Sequence, residues 1–271
     1  MESKTMTMQY FFSDMKKMYK NWLVLIAILF IFAVSIADPI LMRRSYEYAP
    51  NPYNWWLFMN TGRGCIVYNT LFWFIPSLFT GLLAFSERTT SIYGILLTKE
   101  KRSTYYRNKS LTAFIVPFVT CLAFFSLNLG LVYMTCPTVD PIEDYLVPRI
   151  GSFAYPLFMD SPIIMAMVYI LLHTLSIAIL TVLYLNIQLA FKIKNKYIAL
   201  ILPALIMYVV NFALQILGYF KYSLTYLIQP VAASASTEIL DSGSLLLVLC
   251  AYIAAAILCY VIGKLRNRDV V

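Results

Sequence analysis

The chain has 271 residues, of which 61% are hydrophobic and 13% charged, with a formal net charge of +8. Its mean hydropathy of +0.74 excludes a water-soluble globular domain of this length. It also carries no exposed basic domain of the kind that holds nucleic acid, so the positive charge needs another explanation.

The N-terminal segment is patterned. Met8, Phe11, Phe12, Met15, Met18, Tyr19 and Trp22 recur at helical spacing, while Gln9, Ser13, Asp14, Lys16, Lys17, Lys20 and Asn21 occupy the other face. This predicts an amphipathic helix over 8–21 lying in the membrane interface, lysines toward anionic headgroups. No small-residue cleavage site follows an apolar core, so the segment reads as part of the working chain and not as a signal peptide.

Six apolar runs follow: Trp22–Ala37, Ile66–Phe85, Leu111–Met134, Pro162–Phe191, Tyr197–Leu217 and Ser244–Gly263. Crossing the ~30 Å hydrocarbon core takes ~20 helical residues. None alternates polar and apolar residues as a barrel strand does, so each is expected to be helical. The first run is short and the fourth exceeds what a bilayer needs, so the fourth either tilts or projects beyond it. The expected fold class is therefore an all-α integral membrane protein, one domain over residues 1–271 with six transmembrane helices. Lysine and arginine placement sets the orientation. With both termini cytoplasmic, internal segments hold sixteen of the 21 basic residues, and only Arg43, Arg44, Arg63, Arg149 and Lys221 lie outside. The net charge is then a consequence of topology.

The external pieces are irregular and proline-rich, except that 220–243 is apolar enough to dip back into the outer leaflet. Cys65 and Cys136 both fall outside, where an oxidising compartment permits a disulfide if the two approach one another. The other three cysteines lie within spans and read as packing residues. With a single histidine and no paired cysteines, no structural zinc site and no other metal site is expected. No catalytic motif of any recognised hydrolase type occurs either, so no catalytic residue is assigned.

Polar residues within the spans are sparse. His173 is the lone ionisable group of the later spans and either marks a functional site or hydrogen-bonds a neighbouring helix. Asn128, Asn211 and Gln215 either join helices or, with His173, line a path for an amphipathic substrate. Pro76, Pro117 and Pro203 each sit inside a span, where a freed carbonyl bends the helix or forms a gate.

The most informative stretch is Phe85–Ser110, which carries six of the 21 Lys and Arg between two apolar runs. Within it Glu87 and Arg88 precede Ser91, Ile92, Tyr93, Gly94, Leu96, Leu97 and Thr98, and a basic cluster including Arg102 and Lys109 leads into span three. This order resembles the permease subunit of type 2 ABC transporters, as does Leu224-Thr225-Tyr226-Leu227 followed by Pro230 ahead of the last span. The likeness covers nearly the whole chain in layout and about a fifth of it in specific motifs, with Tyr105-Tyr106 standing where a smaller pair is common in the family.

The resemblance implies a complex of two permease subunits, the second either a copy or a homologous chain, with separate nucleotide-binding ATPase subunits that bring ATP and Mg. No GxxxxGK[ST] occurs here, so this chain is not expected to hold nucleotide, and it has no cofactor of its own. On this reading 86–110 is the cytoplasmic coupling segment, Thr90–Thr98 its helix in the ATPase cleft, and 192–196 a second contact. The implied setting is the bacterial cytoplasmic membrane. The implied cargo is an amphipathic or antimicrobial peptide, or else a lipid or hydrophobic drug, moved outward. Two other classes stay open: a non-transporting membrane subunit of a sensing or immunity complex, and an ion-coupled carrier.

Overall fold

The computed structural model describes residues 2–42, 52–59, 62–81, 85, 102–136, 148, 150–191, 193, 195–230 and 240–266. Regular structure among them is entirely helical: α1 (Glu2–Tyr19), α2 (Trp22–Met42), α3 (Pro52–Trp55), α4 (Arg63–Leu71), α5 (Ile75–Thr80), α6 (Arg102–Thr135), α7 (Ala154–Asp160), α8 (Pro162–Phe191), α9 (Lys196–Ile216), α10 (Leu224–Leu227) and α11 (Ser242–Arg266). Five of these, α2, α6, α8, α9 and α11, are long and apolar enough to cross a membrane. The protein is thus built as a multi-pass membrane protein.

Helix α8 is the axis. Its most apolar window is 61% buried, against 22% in both α9 and α11, which places those two at the periphery with one face on the bundle. Pro162 opens α8 at a position whose N–H has no intrahelical acceptor, so the ring costs nothing there. At its other end the α8 amide Gln188 donates to the Ala199 carbonyl at 2.9 Å and to Thr80 Oγ1 at 3.3 Å, tying α9 and α5 to the axis. Asn186 likewise donates to the Ala256 carbonyl on α11 at 3.1 Å. Helix α9 is started by Asn195, whose side chain accepts from the backbone of Tyr197 and Ile198 at 2.9 and 3.3 Å.

Span two departs from expectation. Residues 66–85 do not form one helix: α4 tightens into a 3-10 turn at Phe72–Phe74, α5 follows, and Gly81 ends it in the left-handed region at φ 56°. Pro76 has no N–H to return to Phe72, and the Phe72 carbonyl is taken instead by Ile75, three residues on. The breaks are capped by side chains from elsewhere. Asn21, at the α1–α2 corner, donates to the Gly81 carbonyl and accepts from Leu23 N at 3.0 Å.

The start of α4 is held by Asp38, which is fully buried. Its carboxylate accepts from Gly64 N at 2.8 Å and from Cys65 N at 2.9 Å. Span one therefore does not stop before Asp38: α2 runs on to Met42, because the acid is satisfied by a helix N-terminus instead of by water. The approach is close. A Cβ at Gly62 or Gly64 would lie 2.6 or 2.9 Å from the carboxylate.

The N-terminal helix also differs from a simple interfacial anchor. Asp14, placed on the lysine face by periodicity, is turned inward and pairs with Lys109 of α6 at 2.7 Å, and the lysine side chain is only 1% exposed. Lys17 lies 3.9 Å from the same carboxylate, and Lys109 Nζ sits 5.4 Å from the Tyr105 ring centroid. Met18 is buried beside the pair, while Phe12 and Trp22 stay exposed. Tyr105 and Tyr106 are themselves buried against Leu185 and Leu189 of α8, so the bulky pair fills the corner where α6 meets the axis. Helix α6 starts nine residues before the expected Leu111, and its 34 residues reach roughly 51 Å, more than a hydrocarbon core requires.

Two outcomes follow for stability in detergent. Lys109→Met, which strands the Asp14 carboxylate, is expected to cost about 3–5 kcal/mol in denaturant unfolding, and adding Asp14→Leu should recover most of that loss. Gly64→Ala should destabilise by about 1–3 kcal/mol, and its effect should shrink in an Asp38→Ala background, a coupling a double-mutant cycle would read directly.

Candidate functional site

Glu87, Arg88, Ser91, Ile92, Tyr93, Gly94, Leu96, Leu97 and Thr98 lie outside the described residues, as do Lys192 and Lys194. The four candidate path residues are all described, and they separate into three different environments.

His173, in the middle of α8, is fully buried in an aromatic box. Its ring stacks on Phe58 with centroids 3.7 Å apart and planes 7° from parallel, and Phe125 and Phe72 meet it edge-on at 6.3 Å. Nδ1 is 2.9 Å from the Tyr68 hydroxyl of α4. The ring therefore joins α8 to α4, α6 and the 56–59 segment as a flat packing element, with Nδ1 on Tyr68 and Nε2 buried without a hydrogen bond among the described residues. Asn128 of α6 is also fully buried and its amide is used on both sides. Its Oδ1 accepts from Leu57 N at 3.1 Å and its Nδ2 donates to the Ser35 carbonyl of α2. That is helix joining, at a fully buried position closed to a substrate.

Asn211 and Gln215 behave differently. Four residues apart on α9, they share a face. Asn211 Nδ2 donates to Thr225 Oγ1 at 2.9 Å and its Oδ1 accepts from Ser223 Oγ at 3.0 Å. Gln215 Nε2 reaches the same two hydroxyls at 3.0 and 2.9 Å. The network pins the turn before α10 against the end of α9. It also forms the floor of a groove of about 370 Å³. Asn69, Thr70 and Trp73 from the broken rod make one wall, Tyr208 and Phe212 of α9 another, and Tyr226 and Gln229 close the end.

The structure thus brings Asn211 and Gln215 together and places His173 and Asn128 apart from them. The four-residue spacing of the two amides was readable in the sequence. Thr225 enters the sequence reading only within the Leu224–Leu227 likeness, and neither it nor Ser223 is linked there to these amides, because hydroxyls in an external turn carry no periodic signal. Nothing local in the sequence links Asn69 and Thr70 to α9.

Cys65 and Cys136, considered as a disulfide, are not bridged to one another, and both are buried. Cys65 sits under the Asp38 cap, where its sulfur accepts from Asn69 Nδ2 at 3.2 Å, while Cys136 packs on Val132. Among the described residues no group of three His, Cys, Asp or Glu is placed to hold a metal ion. No family model, no curated protein and no solved structure matches the chain.

The aromatic-box assignment has a direct check. His173→Phe keeps the stack and strands the Tyr68 hydroxyl, so it should cost about 1–3 kcal/mol of unfolding free energy. Adding Tyr68→Phe removes the stranded hydroxyl as well, and the double variant should unfold later than His173→Phe alone.

Proposed function

We propose that this chain is the membrane-spanning permease subunit of an ATP-driven exporter of the type 2 ABC class, energised by a separate ATPase. The observation that carries the reading is the charged segment 86–110, with its Glu87-Arg88 entry and Leu96-Leu97 pair between two apolar runs. A short amphipathic stretch held between membrane segments is a docking element for a soluble partner. The residues that follow it support a mechanical role. Helix α6 begins at Arg102, is longer than the bilayer, and is tied to α1 by the buried Asp14–Lys109 pair. A displacement applied to 86–100 would therefore reach a stiff rod anchored at its base, instead of dissipating in a loose loop.

An amphipathic peptide, or else a hydrophobic drug, is the cargo this reading favours, moved outward across a bacterial cytoplasmic membrane. The second permease half is a copy of this chain or a homologous one. A carrier driven by an ion gradient fits less well, since the described residues lining the α9 groove include no charged side chain.

Affinity purification from the native membrane in mild detergent tests the proposal. An ATPase bearing a phosphate-binding loop should accompany the unaltered chain and be lost from a Leu96→Asp, Leu97→Asp double variant that still inserts. Absence of any such ATPase, even after cross-linking, would overturn the reading. Accumulation of cargo in sealed vesicles then separates transport from a purely mechanical sensing role.

A further inference from the structure

We infer that the groove between α4 and α9 is a binding site for an uncharged, amide-bearing amphiphile, such as a hydrophobic peptide segment. Its volume, about 370 Å³, falls within the range of small-molecule sites. Its chemistry is mixed. One part is aromatic: Tyr208 and Phe212 stack with centroids 6.0 Å apart and planes 7° from parallel, and the largely buried Trp73 also lines the groove.

The other part is amide, and here unused hydrogen-bonding capacity converges. Asn211 is committed at both ends to Thr225 and Ser223. Gln215 commits only its nitrogen, leaving Oε1 as an acceptor. Asn69 commits its nitrogen to the Cys65 sulfur, leaving Oδ1. Gln229, at the end of the groove, hydrogen-bonds through its backbone nitrogen and leaves its side-chain amide available as donor and acceptor. Two acceptors beside one donor–acceptor group match a peptide unit, which presents one N–H and one carbonyl.

Among the described residues, the lining contains no Asp, Glu, Lys, Arg or His. An ionised group seated there would lose its hydration without a counter-charge, so the part of the ligand that binds is neutral. The contrast with the larger cavity is informative. That space, about 480 Å³ between α6, α8 and α11, is walled by Phe114, Ile179, Ile253 and Ile257. Asn186 on its wall is already committed to the Ala256 carbonyl and Ser110. It suits an acyl chain and has nothing to recognise an amide.

This site is where the exporter reading would seat its cargo, and it rests on that reading only for its biological role. Binding is therefore measured on the full chain in nanodiscs of neutral lipid, with no ATPase present. A failed titration removes the groove, whereas a failed ATPase capture removes the exporter. The probe is N-acetyl-Leu-Phe-Leu-amide carrying a photoactivatable diazirine. It should bind saturably and cross-link within 69–73 or 208–229. Gln229→Leu and Asn69→Leu should each weaken it about fivefold, the loss expected for one hydrogen bond. Gln229 makes no structural side-chain bond, so its variant keeps the test valid if Asn69→Leu misfolds. The same peptide with free, ionised termini should bind at least about tenfold more weakly. No binding by the unaltered chain, equal binding by Gln229→Leu, or equal binding by the ionised peptide would overturn the assignment. So would displacement of the probe by a monoacylglycerol as readily as by unlabelled peptide, since its hydroxyl headgroup offers no amide.

Discussion

A helix interrupted inside a membrane exposes amides and carbonyls that hydrocarbon cannot satisfy. In this protein the 63–81 rod is interrupted at both ends and in the middle, where the Tyr184 hydroxyl of α8 donates to the Trp73 carbonyl at 3.2 Å, and its two ends fall to side chains of α2 and its N-terminal corner. Asp38 covers the amides at its start and Asn21 the carbonyl at its finish. Both come from the two ends of α2, so α2 and the broken rod form one unit. The glycines at 62 and 64 are the steric condition for that contact, because any larger residue would meet the carboxylate. The broken rod in turn presents Asn69, Thr70 and Trp73 to α9, so the groove depends on a cap at the rod's far end.

The second fixed point is the Asp14–Lys109 pair. A buried ion pair is a weak source of net stability, because desolvation of two charges offsets their attraction. Its value lies in register, since the pair at 2.7 Å ties Asp14 of α1 to Lys109 of α6 in one alignment. The aromatic contact of Lys109 with Tyr105, and the seating of Tyr105 and Tyr106 on α8, extend that register to the central axis. The base of α6 is thus defined against two other helices at the point where the charged segment joins it.

The polar residues of the spans divide by how fully their hydrogen-bonding capacity is used. Asn128 and Asn186 are buried and bonded at both ends of the amide to partners on neighbouring elements, and act as fasteners. His173 contributes a flat ring to an aromatic box and one contact to Tyr68. Gln215 and Asn69 keep a carbonyl oxygen open toward one shared space. Unused valence that opens on a groove, in contrast to the buried His173 Nε2, marks a recognition surface apart from helix glue.

Hydrophobic content and run length were enough, by themselves, to determine a multi-pass all-helical protein, because lipid admits little else. The ends of α8 and the start of α9 were legible for local reasons, in Pro162 and Asn195. Periodicity misplaced Asp14, since a 3.6-residue pattern sorts residues by hydrophobicity and cannot see a lysine 95 positions away. Apolar length also suggested a single helix at 66–85, although Pro76 and Gly81 were visible there. How the chain would resolve those breaks depended on Asp38 and Asn21 arriving from another helix. The groove was half legible: Asn211 and Gln215 share a helix face by spacing alone, whereas Asn69 and Gln229 join them only across the fold. Sequence determines what a segment can satisfy within itself, and tertiary structure decided every group whose partner lies on another helix.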